Sequence, residues 1–399
     1  MERILVFCSR EICYRSSNFF AHQIGAAYEE AGFCADICEL SEEDDMDAVL
    51  EPLLEKPYRL ILDFNSKLPH FEMEDGVPYL DRLCGPFFDY LVDHPLFHHN
   101  ALMTKAKNMH ALVLDEGQRD YVKACYPQAG SVHMLPLGAT QALYDGEKAK
   151  ECRILFPGTY DSPEGVYEII KASPEPFRGL MEQVIERRTA EPLLPMERAF
   201  AQVLEEIGME LSGEKFALFM NAMYASDAFI RDYFRKKALD ELLRRGLPVT
   251  VMGEGWEKYR CADEHSLKRE RAVPFGLSFE RIAKEHILLN VSPIFNRGMH
   301  DRIPAGMANH AVVLTERNPW VETHFSVGEE LVCYELENLS TLGDLAGELI
   351  ENPARRRDLA EAAYRKFLAC HSWECRAQEI LALADALAQD VNAGQAERP

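Results

Sequence analysis

The chain has 399 residues, 47% hydrophobic and 27% charged, with 23 Gly and 21 Pro, a composition that excludes a disordered or fibrous protein and a length that favours two domains. With 66 acidic against 43 basic residues its formal charge is -23, which repels phosphate backbones and anionic lipid, so neither nucleic acid nor a membrane surface is an expected partner. Eleven cysteines are scattered without a Cys-x-x-Cys pair or zinc-type spacing, Cys34 and Cys38 being the nearest two, and they read as reduced thiols rather than as a disulfide scaffold or a metal site.

At the start of the chain, Ile4 to Phe7 is too short an apolar run for a signal sequence, and no apolar stretch of membrane-spanning length follows; a soluble cytoplasmic protein is expected. Through the first 140 residues short apolar runs alternate with helical patterns, the signature of βαβ units around a parallel sheet covered on both faces. The predicted strands are Ile4 to Phe7, Ala35 to Leu40, Leu60 to Phe64, Tyr90 to Val92, Ala111 to Leu114 and Val132 to Leu135. Between the first two, Phe19 to Ala31 has helical spacing and stops before Gly32, a natural C-cap.

A second parallel series is predicted at Arg153 to Phe156, Pro248 to Met252, Ile287 to Asn290, Ala311 to Thr315 and Leu331 to Tyr334. After its first strand comes a helical insertion, about 164–246, in which Ile230, Phe234, Ala238 and Leu242 recur every four residues and Leu239 and Leu243 widen the stripe. Pro353 opens a helix with Leu359, Ala363 and Phe367 on one face. Beyond His371-Ser372-Trp373, Ile380, Leu383 and Leu387 mark a last amphipathic helix, and the tail from Asn392 is expected to fray. The expected fold class is α/β: two Rossmann-like domains facing a cleft, 1–150 joined by the last helix (about 374–391), and 151–373 with the helical insertion.

In such sheets ligands bind beyond the carboxyl ends of the strands. The loop after Ile287 to Asn290 contains Ser292, Arg297, Gly298, His300, Asp301 and Arg302 just before an apolar helix, Ile303 to Ala308. Backbone N-H groups and guanidinium forks there can converge on a diphosphate, and in an acidic chain that cluster stands out.

The segment from Leu289 to Leu381, with Leu-Asn-Val-Ser, Gly-Met-His-Asp-Arg, Ala-Val-Val-Leu-Thr-Glu and the closing His-Ser-Trp-Glu-Cys-Arg, resembles the C-terminal domain of the CgeB-like glycosyltransferases, of glycosyltransferase-B (GT-B) architecture. Phe156-Pro157-Gly158-Thr159-Tyr160 and Val251-Met252-Gly253-Glu254-Gly255-Trp256 are similar to the opening turn and the Gly-x-Gly-Trp turn of that domain. The resemblance implies a transferase that moves a sugar from a nucleotide-sugar to an acceptor hydroxyl on a carbohydrate, protein or lipid-linked molecule. It implies a donor lying against Gly253, Trp256, Phe275, Asn290 and Ser292, and against the loop of Arg297, Gly298, His300, Asp301 and Arg302. Arg297 and Arg302 would neutralise the departing diphosphate, His300 would donate a hydrogen bond, and no metal or other cofactor would be required. Many relatives of this architecture carry two glutamates with seven residues between them here, where this chain has Asn296 and Pro304, so a retaining mechanism of that pattern is not assumed.

Transfer with inversion needs a general base, and the best candidate lies in the N-terminal half, where Asp93 and His94 open the segment Asp93 to His99 after a predicted strand. Asp93 acts directly or orients His94, whose basicity a carboxylate raises. Asp63 to Lys67 is a second strand-end turn that can hold an acceptor. Asp45-Met46-Asp47 has the form of a metal-binding Asp-x-Asp but lies in the acidic run from Glu42 and reads as solvated surface. The first loop, Ser9 to Ser17, has no glycine, which argues against a dinucleotide-binding dehydrogenase. A binding or scaffolding protein that has lost turnover and an epimerase or hydrolytic enzyme of the same architecture remain alternatives.

Overall fold

The computed structural model describes residues 1–10, 13–41, 43–65, 68–142 and 150–396. Of the segments singled out above, Glu11, Ile12, Glu42, Ser66 and Lys67 lie outside the described residues. The chain divides into two compact units, one of Met1–Gly138 together with the residues from His371 onward, the other of Ala139–Cys370.

In the first unit six parallel strands, β1 (Arg3–Ser9), β2 (Cys34–Leu40), β3 (Leu60–Phe64), β4 (Phe87–Tyr90), β5 (His110–Val113) and β6 (Val132–Met134), form a sheet in the order β2-β1-β3-β4-β5-β6. Ile4, Leu5, Val6, Phe7 and Cys8 are all fully buried. This is why β1 reads as an unbroken apolar run: both faces of the sheet are covered. Helix Ser16–Glu30 buries Phe20, Ala21, Ile24 and Tyr28. It ends where Gly32, at φ 92°, donates to Glu29 O while Phe33 N donates to Tyr28 O, a Schellman termination that uses glycine's freedom at positive φ. The strand expected at Tyr90 to Val92 begins three residues earlier, because the buried Asp89 interrupts what would otherwise read as the apolar run of β4. Helix Trp373–Ala396 returns to this unit, and Trp373 packs at 5.7 Å from the Phe20 ring.

The second unit holds β7 (Glu151–Pro157), β8 (Val249–Met252), β9 (Leu267–Glu270), β10 (Glu285–Leu289), β11 (Val312–Glu316) and β12 (Val332–Tyr334), again all parallel, in the order β12-β11-β10-β7-β8-β9. Counted from β7 as its first strand, the order is 3-2-1-4-5-6, that of dinucleotide-binding sheets, with the switch point between β7 and β10. β9, Leu-Lys-Arg-Glu, has no apolar run to announce it, since as the edge strand it needs little burial. Five helices fill the insertion between β7 and β8: Pro163–Ala172, Phe177–Ala190, Met196–Glu206, Gly213–Ala222 and Tyr224–Arg244. After β10 the short helix Arg302–Ala308 lies close on the sheet, for a Cβ on Gly306 would come within 2.6 Å of Val313 and 3.0 Å of Leu288. No helix among the described residues is long and apolar enough to cross a membrane.

Candidate functional site

The site grows from the switch point of the second sheet. Beyond β7 and β8 two turns interlock: Gly158 N donates to Met252 O and Tyr160 N to Glu254 O. Gly253 and Gly255 have φ of 152° and 80°, and a Cβ on either would stand 2.2 Å from Gly158 O or 2.0 Å from Tyr160 O. Only glycine fits both demands. Trp256 secures the pair from behind. It is 1% exposed, donates its indole N-H to Gly158 O at 2.7 Å and stacks on Tyr160 at 5.0 Å. The structure therefore gives the Trp256 ring to the core, where it braces the turns. Phe275 opens helix Phe275–Ile282 after β9, edge-on to Phe279 at 5.6 Å.

The loop after β10 is held by three buried polar side chains. Asn318 donates to Phe295 O and Gly298 O, Asn296 to Pro192 O and Pro293 O, and Arg188 to Pro293 O at 2.6 Å. These bonds satisfy carbonyls that a buried loop would otherwise leave unpaired. From this frame Arg302, 8% exposed, turns inward across the switch point. Its Nε donates to Pro157 O at 2.7 Å, and one terminal nitrogen lies 3.2 Å from Asn290 Oδ1 and 3.4 Å from Ser292 Oγ. Gly158 makes the room, because a Cβ there would sit 2.9 Å from the other terminal nitrogen. Asn290 and Ser292 also engage the buried Glu316: Asn290 Nδ2 donates to Oε2 and Ser292 N to Oε1.

Two further arginines join from the insertion. The Arg302 and Arg235 guanidinium carbons lie 5.0 and 5.8 Å from the centre of the Phe156 ring, and Arg231 stands one helical turn before Arg235. Burial, and then the charges of Arg231 and Arg302, lower the Arg235 pKa to about 9. Arg302 is lowered by burial, against which Asp301 and Glu316 pull upward. The buried Nε of Arg231 and that of Arg235 have no hydrogen-bond partner among the described residues, so the site holds unmet donors as well as crowded positive charge. Burial raises Asp232, beside Arg235 at 3.4 Å, to about 6 and raises Glu316, which weakens both as counter-charges.

His300 is half-buried, its Nδ1 paired with the Asp301 carboxylate and 3.2 Å from Arg302 N; burial and Arg302 lower its pKa, against which Asp301 pulls upward. Burial raises the neighbouring Asp301, but His300 holds it below its ordinary value overall. Arg297 is half-buried in the same loop. Thus Asn290, Ser292, His300, Asp301 and Arg302 are brought together. Arg231, Arg235 and Glu316 are members the sequence reading missed.

In the first unit Asp93 and His94 follow β4 but serve different ends. Asp93 is exposed and accepts from Asn65 Nδ2 at 3.2 Å. His94 is 2% exposed, and its Nδ1 accepts Leu96 N-H at 3.0 Å, capping the turn Pro95–His98, with the ring 5.7 Å from that of Tyr121. That bond occupies Nδ1, so Asp93 does not orient the ring through it. Among the described residues no group of three His, Cys, Asp or Glu is placed to hold a metal ion.

Residues 231–382 match the family model described as "Glycosyl transferase-like". No curated protein matches the chain. Among solved structures, sucrose-phosphate synthase from Thermosynechococcus elongatus is similar with a TM-score of 0.52 and 9% identity, over 98% of this chain and 100% of that one. Anabaena HepE in complex with UDP and glucose gives 0.52 and 11% over 98% and 100%. An alpha-glucosyltransferase in complex with UDP-glucose and DNA containing an abasic site gives 0.52 and 11% over 96% and 99%. At these identities the likeness speaks for fold. The chain has the α/β fold of these structures, two Rossmann-like domains of GT-B architecture, and its residues 231–382 carry the glycosyl transferase-like sequence pattern.

Proposed function

We propose that the protein transfers a sugar from a nucleotide-sugar to an acceptor hydroxyl, with the donor bound by the second unit at the end of β7 and β10. The observation that carries this reading is the convergence of Arg302 and Arg235 on Phe156 at the switch point, with Arg231 beside them and buried donors unmet. A diphosphate supplies the acceptors and the negative charge that such a group lacks.

In this reading the acceptor oxygen attacks the anomeric carbon as its bond to the diphosphate oxygen breaks. The departing charge is taken up by Arg302, Arg235 and Arg231, beside His300, which Asp301 orients through Nδ1. The acceptor proton needs a base, for which Asp93, exposed after β4 and held by Asn65, is the candidate in the first unit. Fixed guanidinium charge in a partly dry site stands in for a divalent ion, so the reaction proceeds without metal. The motifs around Gly253, His300 and Trp373 support a CgeB-like member of this group.

The test is a thermal-shift panel of sugar nucleotides on the whole chain, followed by nucleoside diphosphate release in EDTA. Stabilisation by one donor, lost in Arg302→Ala, and turnover undiminished by EDTA are expected; no response to any donor overturns the reading. A second reading, a binding protein without turnover, is favoured by Asn296. Its amide donates to Pro192 O and Pro293 O and so secures the loop where relatives carry a carboxylate. Donor binding without release of nucleoside diphosphate identifies that case.

A further inference from the structure

A second cationic site lies at the opposite, amino-terminal end of the second sheet. There a cavity of about 610 Å³ is lined by Lys150, His286, Asn309, His310, Arg356 and Arg357, among others. Lys150 precedes β7, His286 is the second residue of β10, and Asn309 and His310 follow helix Arg302–Ala308. Among the described residues Glu361 is the one carboxylate in the lining, 3.4 Å from His310. Among the described residues of the lining, Lys150, Arg356 and Arg357 face this single carboxylate, in a chain whose formal charge is -23.

The donors are arranged for a guest. The Lys150 ammonium covers the carbonyls of Glu285, Asn309 and His310 at 3.3, 2.8 and 2.8 Å, so the floor presents fixed charge rather than carbonyl lone pairs. Arg356 is 7% exposed; one terminal nitrogen is committed to Leu349 O and Ile350 O, while its buried Nε has no partner among the described residues. Arg357 is exposed on the same turn of helix Pro353–Cys370. His286 is pushed down by burial and by the charges of Arg356 and Lys150. Like charges gathered in this way around a buried, unmet donor are relieved by an anion. Guanidinium groups favour phosphate, and the volume is that of a small-molecule site.

We propose that this cavity is an anion site for a small phosphate-bearing molecule, separate from the cluster at Arg302. The two sites share helix Arg302–Ala308, with Arg302 at its first residue and Ala308 in the cavity lining.

The experiment titrates inorganic phosphate into the full chain at constant ionic strength, with sodium chloride as the control. Binding is read by thermal shift and by the His286 imidazole resonances. A saturable stabilisation beyond chloride and a shift of the His286 signals are expected. The combined Arg357→Ala and His286→Gln variant, which alters only half-buried or exposed groups, is expected to weaken binding at least tenfold by thermal shift, while Arg302→Lys leaves it in place. The proposal is overturned if phosphate acts no differently from chloride, or if Arg302→Lys abolishes the effect and the double variant does not. Because the readout is phosphate at His286 and not turnover, it fails or stands independently of the glycosyl-transfer reading.

Discussion

Arg302 and Arg235 approach one aromatic ring, that of Phe156, from elements 67 residues apart in the chain, their guanidinium carbons 5.0 and 5.8 Å from its centre. Burial and then the charges of Arg231 and Arg302 lower the pKa of Arg235, so the pair is held together by the surrounding structure against its own repulsion. An anionic ligand reverses that repulsion. Arg302→Lys retains the charge but loses the fork to Pro157 O, Asn290 and Ser292. The variant is expected to fold and to bind its nucleotide-sugar or nucleoside diphosphate about 10- to 100-fold more weakly, measured by calorimetric titration.

The two residues after β4 separate by assay. Asp93→Asn is expected to lower kcat roughly 100- to 10,000-fold, the range for a general base, with little effect on donor affinity. His94→Gln loses the bond from Leu96 N-H and is expected to cost about 1 kcal/mol of stability, as caps do, without abolishing turnover. Urea denaturation and steady-state kinetics on both variants check this; equal kinetic loss in both would contradict it.

Asp232 makes stability depend on pH in a defined direction. Its carboxyl is raised by burial from 3.8 to about 6, against the attraction of Arg235 and Arg231. The folded state therefore holds this proton more tightly than the unfolded one. The associated stability is fully present below 3.8 and is lost as pH rises through about 6. Asp232→Asn is expected to flatten that part of the stability curve between pH 4 and pH 6, measured by chemical denaturation at each pH.

Gly253→Ala tests the interlocked turns. At φ 152°, with Gly158 O only 2.2 Å from the new Cβ, the substitution is expected to destabilise the second unit by about 2 kcal/mol or more. Differential scanning calorimetry gives the value, and a change below about 0.5 kcal/mol would show that the turns part without cost.

Both sheets were legible because strands covered on two faces carry unbroken apolar runs, as Ile4 to Cys8 of β1 and Ile287 to Leu289 of β10 do. β9 was not, since an edge strand tolerates Lys268, Arg269 and Glu270, and β4 was displaced by the buried Asp89. The loop ending at Arg302 was visible as local cationic character in an acidic chain. Arg231 and Arg235 were not, although a signal existed: they continue toward the N-terminus the four-residue spacing of the buried Leu239 and Leu243. A charged residue on an inward-facing line is a candidate for a site. Trp256 carried the opposite lesson, for a tryptophan beside a glycine turn reads as a ligand platform until its indole N-H is seen committed to Gly158 O.

The bond from Arg302 Nε to Pro157 O ties together positions 145 residues apart, and everything between them, six helices included, must be in place before it can form. Such distant closure is slow to assemble. A partly folded second unit, however native its helices, would have the arginines but no common target for them. Gripping a diphosphate there is consequently a report on the whole unit's integrity, and a ligand that binds should protect regions as remote as helix Phe177–Ala190 from hydrogen exchange.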